Sequence, residues 1–370
     1  MSRLDELIAE LCPNGVEYKK LKEVASVSIG EFVHKNKQNP NGVYPVYNGG
    51  TSNTGFYDEF NRTANKIIIS ARGANAGFVN RVFVDFWAGN SCYTISVKEK
   101  YLDWNFTYYV LKNSENKLIN EQQKGGIPAV SKKQVEEFYI PVPPLPVQQE
   151  IVRILDNFTE LTAELTAELT ARRKQYEYYR KILIKNSNNI RQYSLGELAT
   201  LKTGSKPKDV FEFPHKYEYI NAGTTNSGYT DKANCDGDTV TTPSRGQGGI
   251  GFVGYQYDPF WLGPLCYRIK SRNDKIVTNR YLFYYLSCFN EKILAYKKEG
   301  GTPSVNASDL VNIIVDVPPL TEQKRIVAIL DRFDALCNDL TSGIPAEIEA
   351  RQKQYEYYRD KLLSFKEVSA

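Results

Sequence analysis

The chain has 370 residues, 41% of them hydrophobic and 24% charged, which is typical of a globular protein with two or three domains. No window approaches the roughly 18 consecutive apolar residues that a membrane span needs, and the start of the chain, MSRLDELIAELCPNG, is too acidic and too weakly apolar for a secretion signal. The formal net charge of +4 does not by itself indicate a polyanionic partner, so any nucleic-acid contact must rest on local basic loops.

Metal and redox chemistry are not indicated by the cysteines and histidines. The 6 cysteines are scattered without a CxxC pair, and the 2 histidines are His34 and His215. A zinc site needs thiolate and imidazole ligands clustered at short spacing, so we expect no metal site. Cys92 and Cys266 each stand in an apolar, aromatic run, which is typical of small buried thiols in a reducing compartment. We therefore expect a cytoplasmic protein.

The first predicted domain covers residues 1–146, and from about residue 18 it is rich in Gly, Asn, Thr and aromatic residues. Short β-branched runs, such as KIIIS from Lys66 and YTISV from Tyr93, are separated by turn formers, and WNFTYYVLKN at 104–113 has a helical pattern. This pattern predicts a sheet-rich domain with one or two helices. It ends at PVPPLPVQQ, where proline stops a strand and suits the first turn of a helix.

A long helix is predicted over residues 147–190. The chain runs to about Asn186 without Gly or Pro, and about 40 residues at ~1.5 Å each give a helix of about 60 Å. Apolar residues recur in steps of three and four, which places them on one face. They are Ile151, Ile154, Phe158, Leu161 and Leu165.

The same helix contains a tandem repeat, TELTAELTAELTA, at 159–171. One added or removed TAEL unit changes a helix by about 6 Å in length and about 40° in rotation, so the run could act as a ruler between two flanking domains. Helix-favouring filler is the alternative explanation.

The rest of the chain repeats this unit. IVRILDNF from Ile151 matches IVAILDRF from Ile326, and GGIPAV from Gly125 matches GGTPSV from Gly300 at the same offset. KQYEYYR occurs verbatim at 174–180 and at 353–359. A second sheet-rich domain is therefore predicted at 191–320 and a second long helix at 321–370. SGIP, at 342–345, predicts a break or kink in that helix.

Helices of this length with one apolar stripe need a partner, and each copy supplies one. We predict an α+β protein with pseudo-twofold symmetry, in which two sheet-rich domains are separated by two long helices that form an antiparallel intramolecular coiled coil.

The two copies have diverged unevenly, because the helices are nearly identical and the sheet domains are not. Tyrosine and arginine are favoured at interfaces, so the repeated helix ends predict binding of two copies of one partner, while the sheet domains bind different things. Coiled-coil packing after a recent duplication is the alternative. The candidate partner-binding residues are Gln175, Tyr176, Tyr179, Arg180, Gln354, Tyr355, Tyr358 and Arg359.

At this point the sequence resembles a family, the specificity subunits of type I restriction-modification enzymes, over nearly the whole chain. The resemblance rests on the PPL–Q–IV–IL–D helix starts (143–156 and 318–331), the two KQYEYYR helix ends, the GG-x-P approaches and the TAEL run. The TAEL run is similar to that of a subfamily, type IC-like, in which its copy number tunes the spacer of the DNA target. SGIP departs from a clean repeat in the second helix, which places the implied ruler in the first helix alone.

The resemblance implies that each sheet domain is a target-recognition domain reading one half of a split site in double-stranded DNA. It also implies that the helices fix the spacing of the half-sites and dock two methyltransferase subunits, and that restriction and translocase subunits join that assembly. S-adenosylmethionine, ATP and Mg²⁺ would then be bound by partner subunits, with no cofactor on this chain.

The candidate DNA-binding residues lie in loops at matching places in the two copies. Basic side chains suit phosphates, and Arg, Asn, Gln or Lys suit base edges. Both copies keep an Arg-Gly pair in an otherwise divergent loop, which favours DNA contact there, whereas for the Asn-Gly-Thr turns ordinary turn chemistry is an equal alternative. The candidates are Lys35, Lys37, Asn48, Asn53, Arg72, Lys124, Lys206, Lys208, Asn221, Asn226, Arg245, Gln247, Lys297 and Lys298.

No catalytic constellation is evident in the sequence. GQGGIG at 246–251 formally fits a dinucleotide-binding GxGxxG, but FVGYQY after it predicts a strand where that fingerprint needs a helix. The chain also has no P-loop and no amino-methylation motif. We expect a non-catalytic subunit. The alternatives are a stand-alone nucleic-acid-modifying enzyme with an unrecognised site, and a protein–protein scaffold.

Overall fold

A computed structural model of the chain describes residues 2–120, 127–187, 189–339 and 341–368. It divides into two compact units. Unit 1 is Met1–Glu164 together with Ile348–Ala370, and unit 2 is Leu165–Glu347. Unit 1 is therefore built from both ends of the chain, and unit 2 is one continuous segment.

Unit 1 contains three small sheets and the first part of a long helix. Its four-stranded sheet has the order β2-β8-β5-β6, a three-stranded sheet has the order β4-β3-β7, and β1 pairs with β9. The elements in chain order are α1 (Arg3–Leu11), β1 (Glu17–Lys20), α2 (Leu21–Val24), β2 (Ala25–Ile29), β3 (Tyr44–Tyr47), β4 (Gly55–Tyr57), β5 (Lys66–Ser70), β6 (Val79–Val82), β7 (Trp87–Ala88), β8 (Cys92–Val97), α3 (Trp104–Asn113), α4 (Glu115–Asn120), α5 (Lys132–Glu136), β9 (Tyr139–Val142) and α6 (Leu145–Lys185).

Unit 2 repeats this topology sheet by sheet. Its sheets have the orders β11-β17-β14-β15, β13-β12-β16 and β10-β18. The elements after α6 are β10 (Arg191–Ser194), α7 (Leu195–Leu198), β11 (Ala199–Thr203), β12 (Tyr217–Ile220), β13 (Tyr229–Thr230), β14 (Thr239–Pro243), β15 (Gly254–Gln256), β16 (Trp261–Leu262), β17 (Cys266–Ser271), α8 (Asn279–Cys288), α9 (Glu291–Leu294), α10 (Ala307–Leu310), β18 (Ile314–Val317), α11 (Leu320–Asn338) and α12 (Ile344–Leu362). The predicted α+β duplication is confirmed.

Each core lies between the four-stranded sheet and the helix that follows its last strand. In unit 1, Ile67 and Ile95 from β5 and β8 are buried against Phe106 of α3. The aspartate before α3, Asp103, caps that helix by accepting a hydrogen bond from the backbone N–H of Phe106 at 2.9 Å. The β-branched run KIIIS and the segment 104–113 thus form the strand and the helix that their patterns predict.

The long helix α6 has 41 residues, which confirms the predicted length. Its most deeply buried positions differ from the predicted stripe, because Val147, Ile151 and Leu155 are fully buried, whereas Ile154 and Phe158 are only half-buried. These three residues recur every fourth position along the first three turns, and they form the face of α6 that packs into the core of unit 1.

The second long helix is broken at the predicted place. α11 ends at Asn338 and α12 begins at Ile344. Between them the Asp339 carboxylate accepts hydrogen bonds from the Thr341 backbone N–H at 2.7 Å and from its hydroxyl at 2.6 Å. These bonds, with that from the hydroxyl of Ser342, hold the pKa of Asp339 well below its usual range.

The helices pair within each unit. In unit 2, Phe333 of α11 lies against Tyr176 and Tyr179 of α6, at 6.2 and 6.5 Å between ring centroids. Arg173, earlier in α6, donates to the carbonyl oxygen of Cys337, later in α11, at 3.3 Å. Advancing along one helix therefore means going back along the other, so the pair is antiparallel, as predicted.

In unit 1 the end of the chain returns to its beginning. The backbone N–H of Val16 donates to the carbonyl oxygen of Lys366 at 2.8 Å, and that of Val368 donates to Val16 at 3.1 Å. The Tyr18 hydroxyl donates to the carbonyl oxygen of Phe365 at 3.1 Å. The segment after α12 therefore lies beside the residues that lead into β1.

The cysteines are all buried and free, which confirms the prediction made for Cys92 and Cys266. Within the described ranges, no group of His, Cys, Asp and Glu side chains could hold a metal ion. In that same part of the chain, no helix is long and apolar enough to cross a membrane.

Candidate nucleic-acid interface

Three loops meet at one end of the four-stranded sheet in unit 1. They are the turn after β3, the loop between β5 and β6 that contains Arg72, and the segment before α5. A Cβ atom on Gly49 would lie 2.4 Å from the carbonyl oxygen of Arg72, so the first two loops touch. Arg72 forms a β-bridge with Ala129, and the N–H of Gly73 donates to Pro128 at 2.9 Å. We call this surface the three-loop rim.

Unit 2 has the same rim with different residues. A Cβ atom on Gly249 would lie 2.9 Å from the backbone nitrogen of Gly223. Arg245 forms a β-bridge with Ser304, and the N–H of Gly246 donates to the carbonyl oxygen of Pro303 at 3.0 Å. The glycines allow the loops to approach this closely, and Gly246 has a φ of +127°, which side-chain-bearing residues rarely adopt.

A tyrosine of the four-stranded sheet, buried in unit 1 and half-buried in unit 2, anchors the third loop in each unit. The hydroxyl of Tyr93 in β8 donates to the carbonyl oxygen of Val130 at 3.1 Å, and that of Tyr267 in β17 donates to Val305 at 3.2 Å. Both valines are buried, and burial raises the pKa of Tyr93. The repeated GGIPAV and GGTPSV segments therefore end in an anchor. Sequence reasoning found the repeat but missed the tyrosine that holds it.

The two predicted arginines are placed alike. The side chains of Arg72 and Arg245 are exposed, each on a loop whose backbone is fixed to the third loop. Gln247, two residues after Arg245, is also exposed. A guanidinium held at the rim by its own backbone can approach a phosphate or a guanine edge without ordering a flexible loop first.

Three of the predicted asparagines form hydrogen bonds within the fold through their side chains. Asn48 accepts a hydrogen bond from the N–H of Ser91 at 3.0 Å, and Asn221 accepts one from Leu265 at 2.9 Å. Asn226 donates to the carboxylate of Glu218 at 3.3 Å. These bonds give the three side chains a structural role, while their contact with DNA stays a prediction. Asn53 is half-buried in the first of the three loops.

The predicted lysines fall into two groups. Those of the loops before β3 and β12 are exposed, and these loops leave the sheet next to the turn after β7 or β16. Lys297 and Lys298, near the rim of unit 2, pair with Glu299 at 3.0 Å and Asp309 at 2.9 Å. Such exposed pairs are weak and can exchange for a phosphate. The exposed lysines of the loops before β3 and β12 are Lys35, Lys37, Lys206 and Lys208. Lys124 lies outside the described residues.

The predicted partner-binding tyrosines differ in exposure. Tyr176 is only 9% exposed and belongs to the core of unit 2, and Tyr355 is half-buried in the core of unit 1. Tyr179 and Tyr358 are more accessible, at 41% and 37%. Helix packing thus accounts for the first tyrosine of each KQYEYYR, and the third tyrosine has surface for a partner.

The polar members of the same motif contact their own helix. Arg180 lies over the ring of Tyr176 at 5.4 Å, and Arg359 lies over Tyr355 at 5.7 Å. Gln175 accepts a hydrogen bond from Arg172, and Gln354 from Arg351.

The middle tyrosine of each motif was not among the predicted residues. Tyr178 is 63% exposed and Tyr357 is 64% exposed. Each meets the following tyrosine, Tyr179 or Tyr358, edge to face with an interplanar angle of 74°. Their spacing places them on the side of the helix opposite the first tyrosine, but it does not indicate which side faces the core.

The glutamine of each helix-start motif had no role assigned from the sequence. Gln148 is fully buried and accepts from the N–H of Asp103 at 2.7 Å, while its amide donates to Tyr101 at 2.9 Å and Pro143 at 2.6 Å. Gln323 makes the corresponding three bonds in unit 2, at 2.8 to 3.0 Å. The repeated PPL-x-x-Q motif therefore docks each long helix onto its sheet domain.

Comparison with known proteins matches both copies of the duplicated unit to one family. Residues 13–172 and 188–350 match the family described as type I restriction modification DNA specificity domain. The chain belongs to this family. The two matched segments correspond to the two copies of the duplicated unit, and relatives in this family are named as specificity subunits rather than as enzymes acting alone.

Similar proteins and structures extend the match to most of the chain. A putative type I restriction enzyme specificity subunit of Haemophilus influenzae is 31% identical over 95% of this chain and 96% of its own length. The EcoR124I/EcoR124II specificity subunit of Escherichia coli is 34% identical over 60% of each chain. The crystal structure of a type I S subunit from M. genitalium, at 22% identity, superposes with a TM-score of 0.69 over 94% of this chain and 96% of its own.

Proposed function

We propose that this chain recognises a split, asymmetric sequence in double-stranded DNA, with each sheet domain contacting one half. The observation that carries the proposal is the three-loop rim, which recurs in both units on one framework with an exposed arginine at the same place and different residues around it. A common framework with divergent contacts is what two readers of two different half-sites need.

The partner subunits follow from the same family membership. We propose that two methyltransferase subunits and the restriction and translocase subunits assemble on this chain, in the cytoplasm where the DNA is. A similar structure, with 17% identity and a TM-score of 0.60, was described in a study of complex assembly of the type I system. S-adenosylmethionine, ATP and Mg²⁺ would be bound by the partner subunits. The exposed tyrosines of the helix ends support docking of two identical partners.

Mapping methylated adenines tests the proposal. The chain, reconstituted with its methyltransferase subunits, is incubated with S-adenosylmethionine and a pool of random duplexes, and the methylated duplexes are sequenced. We expect a bipartite motif with one fixed spacer. A pool without such a motif overturns the proposal, and methyl transfer by the chain alone would favour the stand-alone enzyme.

Substitution of the two rim arginines should show which sheet domain reads which half-site. Arg72→Ala should degrade the motif in one half and Arg245→Ala in the other, each with a reduced salt slope of binding. Lys100→Ala and Lys275→Ala are matched controls. Both lysines are exposed, but they follow the ends of β8 and β17 that lie away from the three-loop rim. An unchanged motif and salt slope in both arginine variants would reject the rim as the interface.

A further inference from the structure

An arginine, an aspartate and a tyrosine meet where the sheet domain of unit 1 joins the long helix. The hydroxyl of Tyr109 in α3 lies 2.5 Å from Oδ1 of Asp156 in α6, and the guanidinium of Arg81 in β6 lies 2.9 Å from the same oxygen. The Arg81 side chain is 15% exposed. Desolvation and the bond to Asp156 also raise the pKa of Tyr109.

Unit 2 has the same triad in the same place. The Tyr284 hydroxyl of α8 lies 2.6 Å from Oδ1 of Asp331 in α11, and Nε of Arg280 lies 2.7 Å from that oxygen. The Arg280 side chain is 11% exposed. A second carboxylate, that of Asp334, lies 3.8 Å from the guanidinium.

The arginine comes from a different element in each unit. α3 and α8 correspond residue by residue, and the position that holds Arg280 in α8 holds Asn105 in α3. In the strand pairs, Ile67 faces Arg81, whereas the matching Val240 faces Tyr255. The arginine therefore occupies the strand position in unit 1 and the helix position in unit 2, while its bond to the aspartate is kept.

The strand position and the helix position are in contact in each unit. In unit 1, Arg81 donates to the side-chain oxygen of Asn105 at 2.9 Å. In unit 2, Arg280 lies 4.6 Å from the centre of the Tyr255 ring. Divergence that removed the arginine from one position has thus been compensated at the neighbouring one. Core packing alone does not require this, because an apolar residue could fill either place.

Aromatic rings enclose the guanidinium in both units. Arg81 lies within 5.1 Å of the ring centres of Phe83, Tyr108 and Tyr109. In unit 2, four rings lie within 4.9 Å of Arg280, namely those of Tyr255, Tyr257, Phe283 and Tyr284. Rings on several sides and a carboxylate at the tip leave the guanidinium one orientation.

The second helix of each pair reaches the same junction. Tyr355 of α12 meets Phe158 of α6, two residues after Asp156, and Tyr176 of α6 meets Phe333 of α11, two residues after Asp331. Each junction therefore connects one sheet domain to both helices of its unit.

We propose that Arg81 and Arg280 are positioning residues, which fix each sheet domain in one orientation on its helix pair and so restrict the spacer that the protein accepts between its half-sites. The inference rests on the proposed function. The arginines act through the aspartates of the helices and do not contact the DNA themselves, so the motif of each half-site does not depend on them.

The test uses the reconstituted complex and the random-duplex pool described above. With Arg81→Ala, both half-site motifs should persist while the preference for the wild-type spacer over one a base pair longer or shorter falls about tenfold, the factor that one hydrogen bond to a charged group typically supplies. Arg72→Ala, by contrast, should degrade one motif at an unchanged spacer.

The different position of the arginine in the two units provides a rescue. The double variant Arg81→Tyr with Asn105→Arg copies the arrangement of unit 2 into unit 1, and it should restore the narrow spacer. Circular dichroism and thermal unfolding show whether each variant folds. If Arg81→Ala does not fold, Arg81→Lys replaces it in the test, because lysine keeps the charge but lacks the planar fork of the guanidinium.

The outcomes separate this inference from the proposed function. A wild-type complex that returns no bipartite motif overturns the proposed function and with it any effect on spacer. A bipartite motif whose spacer is as narrow in folded Arg81→Ala as in the wild type overturns the positioning role alone. A double variant no better than Arg81→Ala also overturns it.

Discussion

The ring of Phe158 in α6 stacks on the ring of Tyr358 in α12, with 5.8 Å between centroids and 24° between planes. The edge of Tyr355 meets the same ring at 6.4 Å. These contacts join the first part of α6 to the last helix of the chain. Unit 1 therefore cannot complete its helix pair until the whole chain is available, whereas unit 2 is one continuous segment.

Phe158→Ala should lower the free energy of unfolding by about 2 kcal/mol, because a half-buried ring and its stacking contacts are lost. Urea denaturation followed by circular dichroism measures the change. Phe32→Ala is the control, since Phe32 is 60% exposed and should cost less than about 0.5 kcal/mol. Equal effects of the two substitutions would contradict a role for Phe158 in helix pairing.

Gln148→Ala should cost more than its neighbour Gln149→Ala. The side chain of Gln148 satisfies one backbone N–H and two backbone carbonyl groups at the junction, and its removal leaves them without partners. We expect a loss of about 3 kcal/mol in the free energy of unfolding for Gln148→Ala and almost none for the exposed Gln149. Comparable losses would show that helix propensity, and not the junction, determines the effect.

The sequence predicts those features that depend on local pattern. The long helix, its break at SGIP, α3 and the duplicated sheets all follow from periodicity, proline or self-similarity, which neighbouring residues carry. The contacts of Tyr93 with Val130 and of Arg81 with Asp156 do not, because they join segments that only the folded chain brings together.

Exposure was also beyond the sequence for the helix ends. KQYEYYR shows three tyrosines without indicating which one faces the core, and Tyr176 proves buried while Tyr178 is exposed. Likewise, the oxygen of Asn48 bonds to Ser91, a residue that the sequence gives no reason to place beside it. An alignment of the two copies does not pair Arg81 with Arg280, because the two arginines stand at different positions of the repeat. Their equivalent role is visible only in the folded chain.

The exposed tyrosines should separate partner binding from folding. Tyr178→Ala with Tyr357→Ala should leave the unfolding transition of the free chain unchanged and weaken binding of methyltransferase subunits about tenfold or more, since exposed aromatic residues at an interface supply much of its energy. Tyr176→Ala should instead destabilise the chain. Calorimetric titration with unchanged affinity for the double variant would exclude this surface as the docking site.

Gly49→Ala should disturb the three-loop rim, and Gly50→Ala should not. A Cβ atom at Gly49 would meet the carbonyl oxygen of Arg72 at 2.4 Å, a backbone atom that cannot move without shifting the loop, whereas at Gly50 the nearest atom lies at 3.5 Å. We expect a loss of affinity for target DNA of about tenfold for Gly49→Ala alone, because the guanidinium of Arg72 is displaced. Identical affinities of the two variants would indicate that the rim adapts.

The buried thiols should make stability fall at alkaline pH. Burial raises the pKa of Cys92 to about 12, and that of Cys266 likewise. An unfolded thiol ionises near pH 8.5, so the unfolded state gains stability from ionisation before the folded state can. The contribution of each buried thiol is therefore complete below about pH 8.5 and is lost progressively up to about pH 12.

At pH 10 this loss amounts to roughly 2 kcal/mol for one fully buried thiol relative to pH 7. Cys92→Ala should remove that share of the pH dependence, so the free energy of unfolding should fall less between pH 7 and pH 10 in the variant than in the wild type. Urea denaturation at the two pH values measures the difference, and other groups that titrate in this range cancel between the two proteins. Parallel losses in wild type and variant would mean that the Cys92 thiolate is tolerated in the folded state, which its complete burial in β8, beside β5, argues against.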